Sequence, residues 1–227
     1  MSDPVTELWA QRLIDATHLA KGHAFLDVGG GDGRLCAAIE SLCGAVGTVL
    51  DAAVNPDTAP SNHIRGKAEA LPFADSVFDA VFLNHIAHLL KRPIVALREA
   101  VRVVRPGGRI AIRFSSLDDL QTLPFARWES DHLGIMALAL DALTVARVKT
   151  WGKRTGLSMP RFALFSTPFA GTYEQWITGM NYIVEQAWLR SGCRGSESPV
   201  AAFEAYVRRE YLSAEPFWES LLTFTLL

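Results

Sequence analysis

The residues best suited to chemistry stand together in Ala24-Phe25-Leu26-Asp27-Val28-Gly29-Gly30-Gly31-Asp32-Gly33-Arg34-Leu35. An apolar run ends in a carboxylate, and a glycine-rich turn leads into a helical pattern. Glycine has no Cβ and tolerates positive φ, so backbone in such a turn can approach a ligand closely. The strand-end acid adds fixed negative charge, which suits a ligand bearing positive charge and hydroxyl groups. Spacing then selects among nucleoside ligands. A dinucleotide loop needs G-x-G-x-x-G, its third glycine allowing tight helix–strand packing. Here Arg34 holds that place and the pattern is Gly29-x-Gly31-x-Gly33. A phosphate loop needs a Lys-Ser or Lys-Thr pair, and none follows. Asp51 closes the next apolar run, where an acid can accept both hydroxyls of a ribose; the alternative is an Asp that caps the following turn.

Regular elements must position these groups. Val5, Leu8, Trp9, Leu13 and Ala16 recur at helical spacing and predict a helix over Asp3–Leu19. Ala24–Val28, Gly47–Leu50, His63–Gly66, Phe78–Leu83 and Arg109–Phe114 read as strands. Leu35, Ile39 and Leu42 mark a helix between the first two, with Gly44 as its C-terminal cap. Pro56 and Pro60 leave room for only a turn or two before the third strand. Ile94, Leu97, Ala100, Val101 and Val104 predict another helix, stopped by Pro106-Gly107-Gly108. Alternating strand and helix argue for a doubly wound α/β sheet with its ligand at the carboxyl ends of the strands. Beyond Ser115, Pro124–Gly156, Tyr173–Leu189 and Val200–Leu212 read as helical, and Arg161–Thr167 and Phe217–Leu227 as strands.

Composition fits that architecture. Of 227 residues, 49% are apolar and 20% charged, enough for a full core. The net charge of -2 advertises no nucleic-acid surface. Cys36, Cys43 and Cys193 are an odd number without metal-ligand spacing, so no metal is expected and the thiols read as reduced. The first twenty residues carry acids and no apolar core, unlike a signal peptide. Leu138–Val148, the most apolar helical stretch, is interrupted by Asp141 and Arg147. A cytoplasmic protein without a membrane partner is expected.

The glycine loop, Ala68-Glu69-Ala70-Leu71-Pro72-Phe73, Phe78-Asp79-Ala80-Val81 and Arg102-Val103-Val104-Arg105-Pro106-Gly107-Gly108, in that order, resemble the class I S-adenosylmethionine-dependent methyltransferases, small-molecule branch. The resemblance covers roughly residues 20–115. It implies a Rossmann-like seven-stranded sheet, mostly parallel with an antiparallel last strand, plus helical lid elements. On that pattern residues 1–227 form a single domain: cofactor-binding core 20–115, mostly helical substrate and lid region 116–216, last strand 217–227. The resemblance implies S-adenosyl-L-methionine as cofactor. Asp27, Gly29, Gly30 and Gly31 fall at its methionine end, Asp51 and Ala52 at the ribose, Ala68 and Glu69 near adenine, and Asn84 near the sulfonium. Lys67 stands where the family often has an acid beside the adenine amino group.

Asn84-His85-Ile86-Ala87-His88 follows the fourth strand, where the family brings sulfonium and acceptor together. A hydroxyl acceptor benefits from a general base, and histidine titrates in the right range. His85 is the first candidate and His88 the second; either can instead be structural or cap a helix. Trp128, Asp131, His132, Tyr173, Trp176, Tyr182 and Trp188 are candidates to line a partly apolar acceptor pocket. The expected activity is methyl transfer to O, N or C of a small organic molecule. The alternative is a catalytically silent binding or scaffold module on the same fold. A nicotinamide dehydrogenase is disfavoured by Arg34 and Asp27.

Overall fold

In the computed structural model the described residues are 4–53, 62–87, 89–114, 144–167, 169, 171–190, 198–211, 213–214 and 217–226. The chain runs α1 (Pro4–Thr17), β1 (Ala24–Val28), α2 (Arg34–Cys43), β2 (Val46–Asp51), β3 (His63–Arg65), β4 (Phe78–Asn84), α3 (Pro93–Val103) and β5 (Val104–Phe114). It continues with α4 (Val145–Arg154), β6 (Arg161–Thr167), α5 (Tyr173–Arg190), α6 (Val200–Glu210) and β7 (Phe217–Thr225). The strands form one seven-stranded sheet in the order β3-β2-β1-β4-β5-β7-β6. Neighbours from β3 through β5 are parallel, and β7 runs antiparallel to β5. The expected Rossmann-like, mostly parallel sheet is therefore observed.

The chain builds outward from β1 through β2 to β3, then returns to place β4 on the other side of β1. Strand order reverses between β1 and β4, which opens a crevice at their carboxyl ends. Apart from Asp27 in β1 and Asp79 and Asn84 in β4, both strands are apolar, because both faces are covered. Leu26, Phe25, Val81 and Phe82 are all fully buried, and the rings of Phe25 and Phe82 meet at 5.5 Å. Asp79 fixes the start of this pair: its carboxylate accepts the Ala24 N–H at 2.7 Å and an Arg105 N–H at 2.9 Å.

Two observations differ from the sequence reading. Pro106-Gly107-Gly108 does not separate helix from strand; α3 ends at Val103 and β5 starts at Val104. The Gly107 N–H donates to the Leu226 carbonyl, and Leu226 N–H to Gly108, so the C-terminal segment draws this turn-like sequence into the sheet. The strand accommodates it through a register shift between Phe78 and Ala80. Of the expected helix over Pro124–Gly156, the described residues form Val145–Arg154; the remainder up to 143 lies outside them.

The chain falls into two compact units. The first takes in residues 1–114, 145–163 and 220–227, and the second 115–144 and 164–219. Although α4 lies within the expected lid region, it belongs with the sheet. The Phe224 ring occupies the space beside Gly152, and the Ser158 hydroxyl donates to Thr225 at 2.9 Å. The second unit has its own core, in which Trp176, Ile177, Met180 and Val184 of α5 meet Phe203 and Val207 of α6. No helix among the described residues is long and apolar enough to cross a membrane.

Arg102 in α3 holds the connection that leads into β4. Its guanidinium donates to the carbonyls of Phe73 and Leu71, to Asp75 and to Glu99, and the Glu99 carboxylate accepts the Leu71 N–H. That bond to Arg102 holds the Glu99 carboxyl below its ordinary range. Hydrogen bonds to a charged group contribute about 1.5–3 kcal/mol. Arg102→Ala is therefore expected to lose roughly that much stability in urea denaturation, and a loss below about 0.5 kcal/mol contradicts this role.

Candidate functional site

The glycine loop begins where β1 ends. Gly29, Gly31 and Gly33 have φ of 73°, 56° and 76°, in the left-handed region that side chains with a Cβ rarely adopt. Gly29 donates its N–H to the Leu50 carbonyl, and Gly33 caps α2. Gly30 is fixed by space instead. A Cβ there would stand 2.7 Å from Asp27 Oδ2 and 3.0 Å from Val49.

Beneath Gly30, Asp27 is fully buried between Val49 of β2 and Phe82 of β4. Neither of its oxygens has a hydrogen-bond partner among the described residues. Burial, reinforced by the negative charge of Asp51, pushes its carboxyl up to about 7. Asp51, at the end of β2, accepts the Gly31 N–H at 3.0 Å and the Ala53 N–H at 2.8 Å. It thus caps its own turn, as the alternative reading required, and also braces the glycine loop. A carboxylate has about four acceptor positions, so capacity for two hydroxyls remains.

A cavity of about 480 Å³ opens beside this loop. Val28, Gly29, Leu50, Asp51 and Ala52 form one wall. Gly66, Lys67, Ala68 and Glu69 form a second, in a turn closed by the Ala70 N–H to the Lys67 carbonyl at 3.0 Å. Ala68 and Glu69 occupy the centre of that turn. The third wall is Ile86 and Leu89 to Arg92, between β4 and α3.

Of the expected cofactor residues, Gly29, Asp51, Ala52, Ala68 and Glu69 converge on the cavity. Asp27, Gly30 and Gly31 lie in or under the adjoining loop. Asn84 and His85 end β4 but are not among the cavity's described lining residues. The Asn84 Oδ1 accepts from Arg113 at 3.2 Å, and that guanidinium sits 3.8 Å above the buried Trp9 ring. His85 is half-buried with φ of 55°, and its N–H donates to the Arg113 carbonyl at 3.0 Å.

His88, Trp128, Asp131 and His132 lie outside the described residues. Trp176 was expected to line a pocket but is a core residue of the second unit, fully buried and stacked with Tyr173 at 5.9 Å. Tyr173 packs on the same core and donates its hydroxyl to the Tyr211 carbonyl at 2.6 Å. Tyr182 is exposed and Trp188 half-buried. Cys36 is buried and its thiol is pushed up to about 12, chiefly by burial, which makes it unreactive.

Sequence reasoning missed the third wall. Its signal is present, since Leu89-Leu90 is an apolar pair in a non-helical connection at a strand's carboxyl end, followed directly by Lys91-Arg92.

Residues 26–112 match the model of the methyltransferase domain family. This part of the chain is similar to a methyltransferase domain. A ubiquinone/menaquinone biosynthesis C-methyltransferase from Pasteurella multocida is 31% identical over 126 residues, covering 49% of this chain and 47% of that protein. The chain thus spans about half the length of the curated relatives it matches. Among solved structures, an S-adenosylmethionine-dependent methyltransferase from Thermotoga maritima superposes with a TM-score of 0.56 at 14% identity, covering 98% of this chain and 89% of the other. The [4+2]-cyclase SpnF gives 0.56 at 15% identity, covering 96% and 80%. At these identities the structures share the fold of the domain.

The fold holds Asp27 at a cost. Its folded-state value lies above the ordinary 3.8, so the folded protein keeps this proton between pH 3.8 and about 7, where the unfolded chain has lost it. Stability therefore falls as pH rises through that window and stays low above it. Asp27→Asn is expected to stabilise the ligand-free protein at pH 8 by no more than about 4 kcal/mol, and much less at pH 4. Urea midpoints at both pH values check this, and an equal shift at the two contradicts it.

Proposed function

We propose that this cavity and the adjoining glycine loop hold S-adenosyl-L-methionine, and that the protein moves its methyl group to O, N or C of a small organic molecule. The observation that carries the reading is the Asp27 carboxylate, buried without a hydrogen-bond partner among the described residues, under a glycine whose Cβ would collide with it. A buried charge is retained only where something compensates it, and an ammonium group arriving through the loop would do so. The residues present fit the cofactor. Asp51 has acceptor capacity for ribose hydroxyls, the turn at Ala68 and Glu69 offers backbone N–H groups to an adenine edge, and Val28, Leu50, Ile86 and Leu89 give apolar faces for the ring.

When bound, the cofactor supplies a methyl group activated by its sulfonium. The chain's own task is then orientation, which can contribute roughly 7–11 kcal/mol. Arg113 occupies the Asn84 carbonyl oxygen, leaving the amide N–H groups at the end of β4 to donate. His85 is assigned as the base for a hydroxyl acceptor. Its left-handed backbone, held by the bond to Arg113, fixes where the ring leaves the strand. The net charge of -2 supports a small-molecule acceptor over nucleic acid, and the free thiols of Cys36 and Cys43 support a cytoplasmic location.

A second reading, a cofactor-binding module without transfer, draws on Lys67. It lines the cavity where the family often carries an acid that accepts from adenine.

Calorimetric titration with S-adenosylmethionine tests the proposal. Saturable binding in the micromolar range is expected, weakened about tenfold or more in Asp51→Ala, the equivalent of about 1.4 kcal/mol. No heat at millimolar cofactor sinks the proposal.

A further inference from the structure

The cavity is lined by charges of both signs, arranged differently. Asp51 is half-buried at the β2 end, and its two oxygens already accept backbone N–H groups. Lys67, Lys91 and Arg92 line the cavity from two different walls and are exposed to solvent. None of the three makes an ion pair or side-chain hydrogen bond with another described residue. Glu69, also on the lining, is not paired with them. By contrast, Arg102 and Arg105, on the other side of the α3 connection in sequence, are each bound to carboxylates.

Arg92 is also the N-cap residue of α3. Its side chain makes no capping bond, while its carbonyl accepts from Val95 and Ala96. The positive end of an eleven-residue helix therefore adds to the side-chain charge at this lip. Cations gathered at the mouth of a cleft with low-dielectric walls focus a positive field on whatever enters.

We propose that Lys67, Lys91 and Arg92 form a rim that binds an oxyanion, carboxylate or phosphate, carried by the methyl acceptor. Assignment to the acceptor rests on the cofactor reading above. In that reading the only anionic group of the cofactor lies at the glycine loop, and its adenosine part is uncharged. The cations beside Ala68 and Leu90 therefore have no partner in the cofactor. Substrate selection follows: acids and phosphate esters enter, and neutral or cationic analogues of the same skeleton are held less well.

The test uses the full chain saturated with S-adenosylhomocysteine and titrated at low salt with sodium pyrophosphate and, separately, malonate. One of them is expected to bind, and the better one distinguishes a phosphate from a carboxylate acceptor. Added salt should weaken it, as for any exposed charge contact. The double variant Lys91→Ala/Arg92→Ala should lose about tenfold or more in anion affinity, with a smaller change for S-adenosylhomocysteine. Lys153→Ala/Arg154→Ala on α4, also exposed, should behave as wild type. The rim is overturned if neither anion binds the complex, or if the Lys91/Arg92 variant binds as wild type does. Displacement of S-adenosylhomocysteine by the anion overturns the acceptor assignment. Anion binding by a chain that never binds S-adenosylhomocysteine overturns the cofactor reading and keeps the rim as an anion site.

Discussion

The buried carboxylate of Asp27 is the constraint around which the sheet half of the protein is arranged. It sits in β1, flanked by Val49 and Phe82, with no hydrogen-bond donor among the described residues to balance its charge. An apolar residue at this position would stabilise the fold by filling the same space without desolvating an acid. The backbone above it is equally committed, because Gly30 leaves no room for any side chain. Stability is given up here, increasingly as pH rises toward about 7, to keep an ionisable carboxyl beneath a thin backbone lid, next to an open cavity.

The surroundings keep that arrangement rigid. Asp51 braces the loop through Gly31, and Gly29 is tied back to Leu50, so both ends of the turn are fastened to β2. Asp79 and Arg105 pin the opposite ends of β1 and β4, and Arg102 holds the connection that carries the second wall. The crevice itself follows from strand order. Two parallel strands that continue in opposite directions across a sheet cannot both be covered by their own crossovers at the carboxyl end.

Asp51 illustrates how two readings of one residue coexist. As a turn cap it bonds Ala53, and as a loop brace it bonds Gly31, yet a carboxylate is not exhausted by two donors. The cavity then carries Asp51 at the end of β2, Glu69 in the turn, and the exposed cations Lys67, Lys91 and Arg92, unpaired among the described residues. The likeness to a [4+2]-cyclase shows that this fold is not confined to one chemistry.

The sequence by itself determined the strands, the glycine loop and the two acids, because these depend on local periodicity and on the spacing of a few residues. Arg161–Thr167 and Ala24–Val28 appear with the bounds their composition predicts. Tertiary structure decided what local signals cannot encode. Pro106-Gly107-Gly108 became part of β5 because the distant Leu226 supplied hydrogen-bond partners. Trp176, at helical spacing with other aromatics, went to a core rather than a pocket because Phe203 and Val207 of another helix covered it. The apolar and cationic third wall gained its place only when the strand order set Ile86 and Leu89 to Arg92 across from residues 66–69. Contacts between residues far apart in sequence depend on topology, and no short stretch of sequence carries that information.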